Sequence, residues 1–154
     1  MKSRFKYEMK YKLRDYYAIN NAIIMENIVV FIFAVLIIYG LLIYYSTTLD
    51  SFYYVIIALI LFPIFTYIIY SRFIKKTFKS SKFANKYVIE FEFFDDYFTV
   101  KNKSVNEQIY YEELHKIIEN RKYFFLMLNN SMGYVIRKEE LDKDSIKFLK
   151  EKNK

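Results

Sequence analysis

The sequence predicts an α+β membrane protein, in which a hairpin of two transmembrane helices is joined to a small antiparallel β-sheet or barrel closed by a C-terminal helix. Two long runs without a charged residue occupy the middle of the chain, short alternating segments follow them, and basic residues flank the runs. Of the 154 residues 55% are hydrophobic and 27% charged, so the two classes must be segregated along the chain. We therefore expect a membrane anchor with one soluble unit.

The two uncharged runs extend from Ile28 to Tyr45 and from Phe52 to Tyr70, within a hairpin region of residues 28–71. At about 1.5 Å per residue, a helix of either length covers most of the roughly 30 Å hydrocarbon core of a bilayer. The alternative of two buried helices in a soluble core would need more chain to cover them. The turn at 46–51 is short, so we expect an antiparallel return with both chain ends on one side. Pro63 is expected to bend the second helix.

Basic residues flank the hairpin and are missing from its turn. Those before the first run are Lys2, Arg4, Lys6, Lys10, Lys12 and Arg14, and those after the second are Arg72, Lys75, Lys76, Lys79, Lys82 and Lys86. The positive-inside rule then predicts a multi-pass protein of the cell (inner or plasma) membrane with both termini cytoplasmic. The second group lies in a helical juxtamembrane segment, 72–86, and we expect it to contact anionic lipid headgroups. A role in topology alone is the alternative.

The flanking segments predict the soluble unit. In residues 1–27, alternation from Phe5 to Leu13 predicts a strand that joins the sheet from across the hairpin, and a short interfacial helix follows with Asp15 as its N-cap. In residues 87–154, turn signals separate short alternating segments at 87–94, 97–101, 108–111, 114–119, 123–128 and 133–137. A closing helix after Leu141 completes the pattern, with Ile146, Phe148 and Leu149 directed inward.

The sequence offers little catalytic chemistry, so we expect no enzyme, no cofactor and no metal site. Cysteine is missing, and His115, the only histidine, is expected to be an ordinary sheet residue on the face of Ile117. The pairs Glu112–Glu113 and Glu139–Glu140 are better explained as strand ends and helix starts than as catalytic carboxylates. Two glycines in the whole chain leave no phosphate-binding loop. The net charge of +7 does not indicate nucleic-acid binding, because the densest basic run adjoins the membrane segment.

The order of parts resembles the YcxB-like family of bacterial membrane proteins. The residues that carry the likeness are FKYEMKYKLRDYYAINNA before the hairpin, and YYEELHKIIENRKYFFLMLNN and YVIRKEEL after it. The resemblance implies a C-terminal domain similar to a bacterial pleckstrin-homology-like (PH-like) domain, and it brings no catalytic residues. Phosphoinositide binding is not implied, since only Arg121 and Lys122 form a basic pair in a hairpin.

We therefore expect a non-enzymatic, membrane-anchored module whose cytoplasmic domain binds a protein or peptide partner in a regulatory or scaffolding role. One alternative is a small oligomeric membrane component of a transport or envelope complex, in which the hairpin forms a homo-oligomer. A second alternative is an immunity-type membrane protein. The spans contain no ionisable side chain, which argues against an ion or proton path through them.

Overall fold

The computed structural model describes residues 3–45, 49–80, 87–103 and 106–153. The chain forms two compact units, one built from Met1–Ile23 with Phe78–Lys154 and the other from Ile24–Thr77. The first, which we call the sheet unit, contains antiparallel sheets and a C-terminal helix. The second, the helical unit, is helical in its described residues apart from a turn at Asn27. The predicted α+β class is confirmed.

The described residues contain four α-helices: α1 at Leu13–Glu26, α2 at Ile28–Tyr45, α3 at Leu49–Ser80 and α4 at Lys143–Glu151. Helix α2 coincides with the first uncharged run. Helix α3 begins before the second run and continues past Tyr70, because the residues that follow include neither glycine nor proline to end it. The predicted turn at 46–51 lies partly outside the described residues.

Among the described residues, one helix has the length and composition to cross a membrane. In α3 the stretch Ile56–Ser80 meets both conditions, and α1 and α2 supply a second candidate only if they are counted as one bent span. The apolar side chains of these helices are exposed on several faces: Val30 by 70%, Phe33 by 62% and Phe65 by 62%. A contiguous apolar surface of this kind requires a lipid or protein covering.

Within the helical unit, α2 and α3 share side-chain contacts at two levels. The Tyr39 hydroxyl donates to the Ala58 carbonyl at 3.2 Å, and its ring meets Phe62 edge-on at 6.3 Å. At the other level, Ile28 and Tyr70 line the same groove. Ile28, at the start of α2, therefore lies near Tyr70 of α3, whereas Tyr39, later in α2, lies near Ala58, earlier in α3. Helix α3 continues through Pro63.

In the part of the chain that the structure describes, seven strands form two antiparallel sheets. The first sheet has the order β1-β2-β3-β4 and the second β5-β6-β7. The bounds are β1 Phe5–Lys10, β2 Val88–Phe93, β3 Tyr97–Lys101, β4 Asn106–Tyr110, β5 Lys116–Glu119, β6 Tyr123–Met127 and β7 Gly133–Arg137. Each strand overlaps a segment in which the sequence predicted a strand.

The strands do not close into a hydrogen-bonded barrel in the described part of the chain, which corrects the barrel version of the prediction. Between β4 and β5 the chain forms a 3-10 turn at Tyr111–Glu113, and this turn interrupts the ladder. Strands β1 and β7 are not joined by a backbone ladder, because the N–H groups of Val135 and Arg137 donate to the hydroxyl groups of Tyr11 and Tyr7 instead of to strand carbonyls. The sheet unit is therefore two sheets around one core.

The N-terminal strand joins the sheet from across the helical insertion, as predicted. Strand β1 pairs with β2 from Phe5↔Phe93 to Lys10↔Val88, although the two strands lie on opposite sides of residues 24–77 in sequence. The strand ends at Lys10, short of Leu13, because α1 already begins there. The alternate residues Tyr7 and Met9 are buried at 5% and 2% exposure.

The core lies between the two sheets and α4. Phe93, Phe98 and Phe124 are fully buried in it. Leu149 of α4 is also fully buried, and Ile146 and Phe148 pack against the same cluster, as the sequence predicted. Asp142 caps α4, accepting the Ser145 N–H at 2.7 Å.

Candidate functional site

Most of the predicted membrane-surface residues share one face of α3. At spacings of three and four residues a helix places side chains above one another, and this face, which we call the cationic stripe, carries Arg72, Lys75, Lys76 and Lys79. All of them are exposed, whereas Ile74 and Phe78, on the opposite face, are buried. The remaining predicted contacts, Lys82 and Lys86, lie outside the described residues. A stripe of this kind suits an anionic surface.

A second cluster of charges is buried in the sheet unit. Arg137, at the end of β7, is 3% exposed, and Asp15, in the first turn of α1, is fully buried. The Arg137 guanidinium donates to both carboxylate oxygens of Asp15, with Nε 2.9 Å from Oδ1. It also donates to the Lys10 carbonyl at 2.7 Å and to Glu140. We call this arrangement the Asp15–Arg137 clamp; such bidentate, charge-assisted pairs are among the stronger hydrogen bonds in proteins.

The prediction of Asp15 as an N-cap was wrong in position. Helix α1 begins at Leu13, and the Asp15 carboxylate reaches back to accept the Lys12 N–H at 2.7 Å. This is the reverse half of a capping box, in which the third helical residue satisfies the backbone of the cap. The same carboxylate therefore holds both the start of α1 and the end of β7.

Two tyrosines occupy the outer edge of β7. The Tyr7 hydroxyl accepts the Arg137 N–H at 3.2 Å and donates to Glu140 at 2.8 Å. The Tyr11 hydroxyl accepts the Val135 N–H at 3.3 Å. Backbone donors that an edge strand would leave open are thus bonded by side chains of the N-terminal segment, which closes this edge to strand pairing.

The clamp also determines the ionisation of its carboxylate. Burial alone would raise the pKa of Asp15, but the Arg137 hydrogen bonds, the Lys12 N–H and the charges of Arg137 and Arg14 outweigh burial and hold this pKa below its ordinary value. The hydrogen bond to Asp15 raises the pKa of Arg137. Both groups are therefore charged across the physiological range.

The other residues considered from the sequence are dispersed. His115 is exposed and precedes β5, so it does not share the buried face of Ile117 as predicted; the strand alternation begins only at Lys116. Glu139 pairs with Arg14 at the surface, and Glu113 accepts the Tyr110 N–H at 3.3 Å. In residues 3–45, 49–80, 87–103 and 106–153, no three His, Cys, Asp or Glu side chains converge as metal ligands would.

Comparison with known proteins finds a match for part of the sheet unit. A family model described as YcxB-like protein matches residues 93–152, which is less than half of the chain. The chain has no significant match among curated proteins or solved structures.

The matched residues include Arg137 and Glu140 but not Asp15, the other carboxylate that Arg137 binds. Asp15, β1 and the helical unit all precede the matched residues. Sequence reasoning missed the clamp because the two residues are far apart in the chain and each has an ordinary local explanation, a helix cap and a strand end. The available signal was an arginine at the end of an apolar strand, where a buried charge requires a partner.

We predict that removing either side of the clamp is costly and that the two losses are not additive. Asp15→Ala or Arg137→Ala leaves the other charge buried and unpaired, at about 3–5 kcal/mol each, whereas the double variant costs less than the sum. Urea unfolding of the full chain in detergent micelles, followed by near-ultraviolet circular dichroism, measures these free energies. The exposed pair Arg4–Asp95, with side chains 59% and 52% exposed, is the matched control: Arg4→Ala should leave the free energy of unfolding nearly unchanged. Additive losses at Asp15 and Arg137 would contradict the coupling.

We also predict an acid-dependent loss of stability that depends on Asp15. Since the folded-state pKa lies below the unfolded value of about 3.9, the unfolded chain binds the proton more readily. The stabilisation is therefore complete above the unfolded pKa and is lost as pH falls through the folded pKa. Urea unfolding at a series of pH values should show a shallower acid decline for Asp15→Asn than for wild type. The exposed-acid variant Asp144→Asn should keep the wild-type decline, and equal slopes for Asp15→Asn and wild type would refute the assignment.

Proposed function

We propose that this chain is a non-enzymatic, membrane-anchored module whose sheet unit binds a protein or peptide partner on the cytoplasmic side, in a regulatory or scaffolding role. The observation that carries the proposal is that both flanks of the helical insertion fold into one unit. Strand β1, before the insertion, pairs along its whole length with β2, after it. The clamp adds a second link between Asp15 and Arg137.

This shared unit restricts how the insertion can meet a membrane. A segment whose two ends return to one folded unit crosses a bilayer an even number of times. Because α3 contains a stretch able to cross, a return crossing is needed, and α2 is the uncharged helix available for it. The contacts of Tyr39 with Ala58 and Phe62, and the groove shared by Ile28 and Tyr70, follow the order expected of antiparallel neighbours. These features support a two-span hairpin with both termini on one side.

The cationic stripe supports the cytoplasmic orientation. Basic residues near a membrane segment favour the cytoplasmic side. On the anionic inner leaflet each contributes on the order of 1 kcal/mol of attraction. The stripe thus serves both as the topology signal and as the contact between α3 and lipid headgroups in a cell (inner or plasma) membrane.

The architecture of the sheet unit supports a binding role. A sheet of four strands, a sheet of three and a following helix agree with the PH-like domain that the YcxB-like resemblance implies. The hydroxyl groups of Tyr7 and Tyr11 accept backbone N–H groups along the edge of β7. Strand β4 is the edge strand of the first sheet, at the end opposite β1. An edge strand is a common site for a partner segment.

One observation favours a second candidate, an oligomeric membrane component. A groove of about 330 Å³ in the helical unit is lined mainly by apolar side chains, including Ile24, Ile28, Pro63 and Tyr67. A groove of this kind accepts a helix of a neighbouring subunit as well as a lipid chain. In this alternative the hairpin carries the function.

The topology is tested by labelling introduced cysteines in intact cells with a membrane-impermeant maleimide. The chain has no cysteine of its own, so each reporter is read alone. Thr48→Cys, in the predicted outer turn, should be labelled from outside, whereas Ser3→Cys and Ser131→Cys should react only after permeabilisation. Labelling of Ser3→Cys and Ser131→Cys from opposite sides would contradict the hairpin.

The binding role is tested by photo-crosslinking in living cells. A photoreactive amino acid at exposed positions of the sheet unit, Gln108 or His115, should give a reproducible adduct with a second protein. Lipid-facing positions of the helical unit, Val30 and Ile37, should not. The adduct should disappear in the Arg137→Ala background, where the sheet unit is destabilised. Protein adducts that come only from Val30 and Ile37 would favour the oligomeric membrane component instead.

A further inference from the structure

A ladder of aromatic rings lies at one end of the first sheet. Phe94 stacks on Tyr97 with ring centroids 4.6 Å apart, and Tyr97 meets Tyr110 across β3 and β4 at 5.7 Å. The rings are partly exposed, Tyr110 by 45%. The Gln108 amide donates to the Tyr110 hydroxyl at 2.9 Å, which orients that ring. We call Phe94, Tyr97 and Tyr110 the aromatic ladder.

Acidic residues border this ladder. Asp96 lies in the turn between Phe94 and Tyr97, and its carbonyl accepts the Tyr111 N–H at 3.1 Å, which brings Glu112 to the same edge. Glu113 bonds the backbone of Tyr110 at 3.3 Å. All three carboxylates are exposed, and within the described residues none of them has a basic side chain at ion-pair distance. This rim is negative in a chain whose net charge is +7.

Nearby cations of the chain are engaged elsewhere. Arg4 is bonded to Asp95 at 2.7 Å, and Lys152 lies over the rings of Tyr111 and Phe148 at 5.2 and 5.5 Å. In the described part of the chain, no lysine or arginine lies over a ring of the ladder. The faces of electron-rich rings attract ammonium and guanidinium groups, and a carboxylate rim strengthens that attraction.

The ladder adjoins an open strand edge. The Tyr111 N–H donates to the carbonyl of Asp96, which immediately precedes β3. Successive N–H groups along a strand point to opposite sides, so those of Tyr110 and Gln108 point away from β3. Glu113 takes the Tyr110 N–H, and the backbone of Gln108 remains at the edge with one donor and one acceptor. An extended segment can pair there while its side chains reach the rings.

We propose that the aromatic ladder and the β4 edge bind an extended, arginine- or lysine-bearing segment of a partner protein. Charge complementarity selects this occupant: the rim is acidic, the rings favour cations, and the edge favours a peptide over a free organic cation. The proposal rests on the binding role proposed above and names the chemistry of the partner. A second copy of this chain, pairing β4 with β4, is the competing occupant.

The test uses the full chain in phosphatidylcholine nanodiscs, whose neutral lipid does not attract basic peptides. Fluorescence anisotropy compares a capped hexapeptide of alternating arginine and valine with its glutamate counterpart. The arginine peptide should bind at least tenfold more tightly. Tyr110→Ala should weaken it by about threefold to tenfold, whereas Tyr110→Phe, which keeps the ring face, should retain most of the affinity.

Variants of the rim carboxylates test whether their charge contributes to peptide binding. The double variant Asp96→Asn with Glu112→Gln should weaken the arginine peptide and flatten its salt dependence. Glu151→Gln, an exposed acid on α4, and Tyr87→Ala, a tyrosine away from the ladder, should leave binding unchanged. An unchanged far-ultraviolet circular dichroism spectrum and an unchanged urea midpoint show that each variant is folded.

The inference would be overturned by equal binding of both peptides, by equal losses for Tyr110→Ala and Tyr110→Phe, or by a change of oligomeric state in ladder variants without a change in peptide binding. The last indicates a second copy as the occupant. Tighter binding of the glutamate peptide would reject the partner chemistry but leave the binding role standing, whereas failure of the photo-crosslinking experiment counts against the binding role itself.

Discussion

The buried ion pair between Asp15 and Arg137 joins the part of the sheet unit before the helical insertion to the part after it. Its cost in desolvation is offset because each charge has several partners, the Lys12 N–H on one side and the Lys10 carbonyl and Glu140 on the other. The β1–β2 ladder lies beside it. Together they make the start of α1 and the strands after α3 one folded body, and the even number of membrane crossings that we propose depends on this link.

Much of the local structure could be predicted from periodicity. The alternation in Tyr97–Lys101 and Gly133–Arg137 and the uncharged run Ile28–Tyr45 predicted elements with the observed bounds. These patterns are local, because a strand or a helix buries every second or every third to fourth residue. Where local signals overlapped, the bounds shifted: the alternation from Phe5 to Leu13 predicted a longer strand, but β1 ends at Lys10 because α1 begins at Leu13.

The candidate sites depended on contacts that periodicity does not contain. Asp15 has the local pattern of a helix cap, and only the fold shows that its carboxylate also meets Arg137. The aromatic ladder likewise needs the β3–β4 register to bring Tyr97 beside Tyr110. The cationic stripe was predictable as a set of charges, but its single face required knowing that α3 is continuous there. The open edge at Gln108 follows from the direction of hydrogen bonds, which a single sequence does not determine.

The central claim is that the two flanks of residues 24–77 form one folded unit, and disulfide trapping in the cysteine-free chain tests it most directly. Glu8 lies opposite Glu90 across β1 and β2, so Glu8→Cys with Glu90→Cys should form a disulfide under mild oxidation in membranes. The offset pair Lys6→Cys with Glu90→Cys should form far less, because the diagonal places the side chains too far apart. Efficient trapping of the first pair alone is the predicted result. Failure of the first pair, or equal trapping of both, would contradict the account.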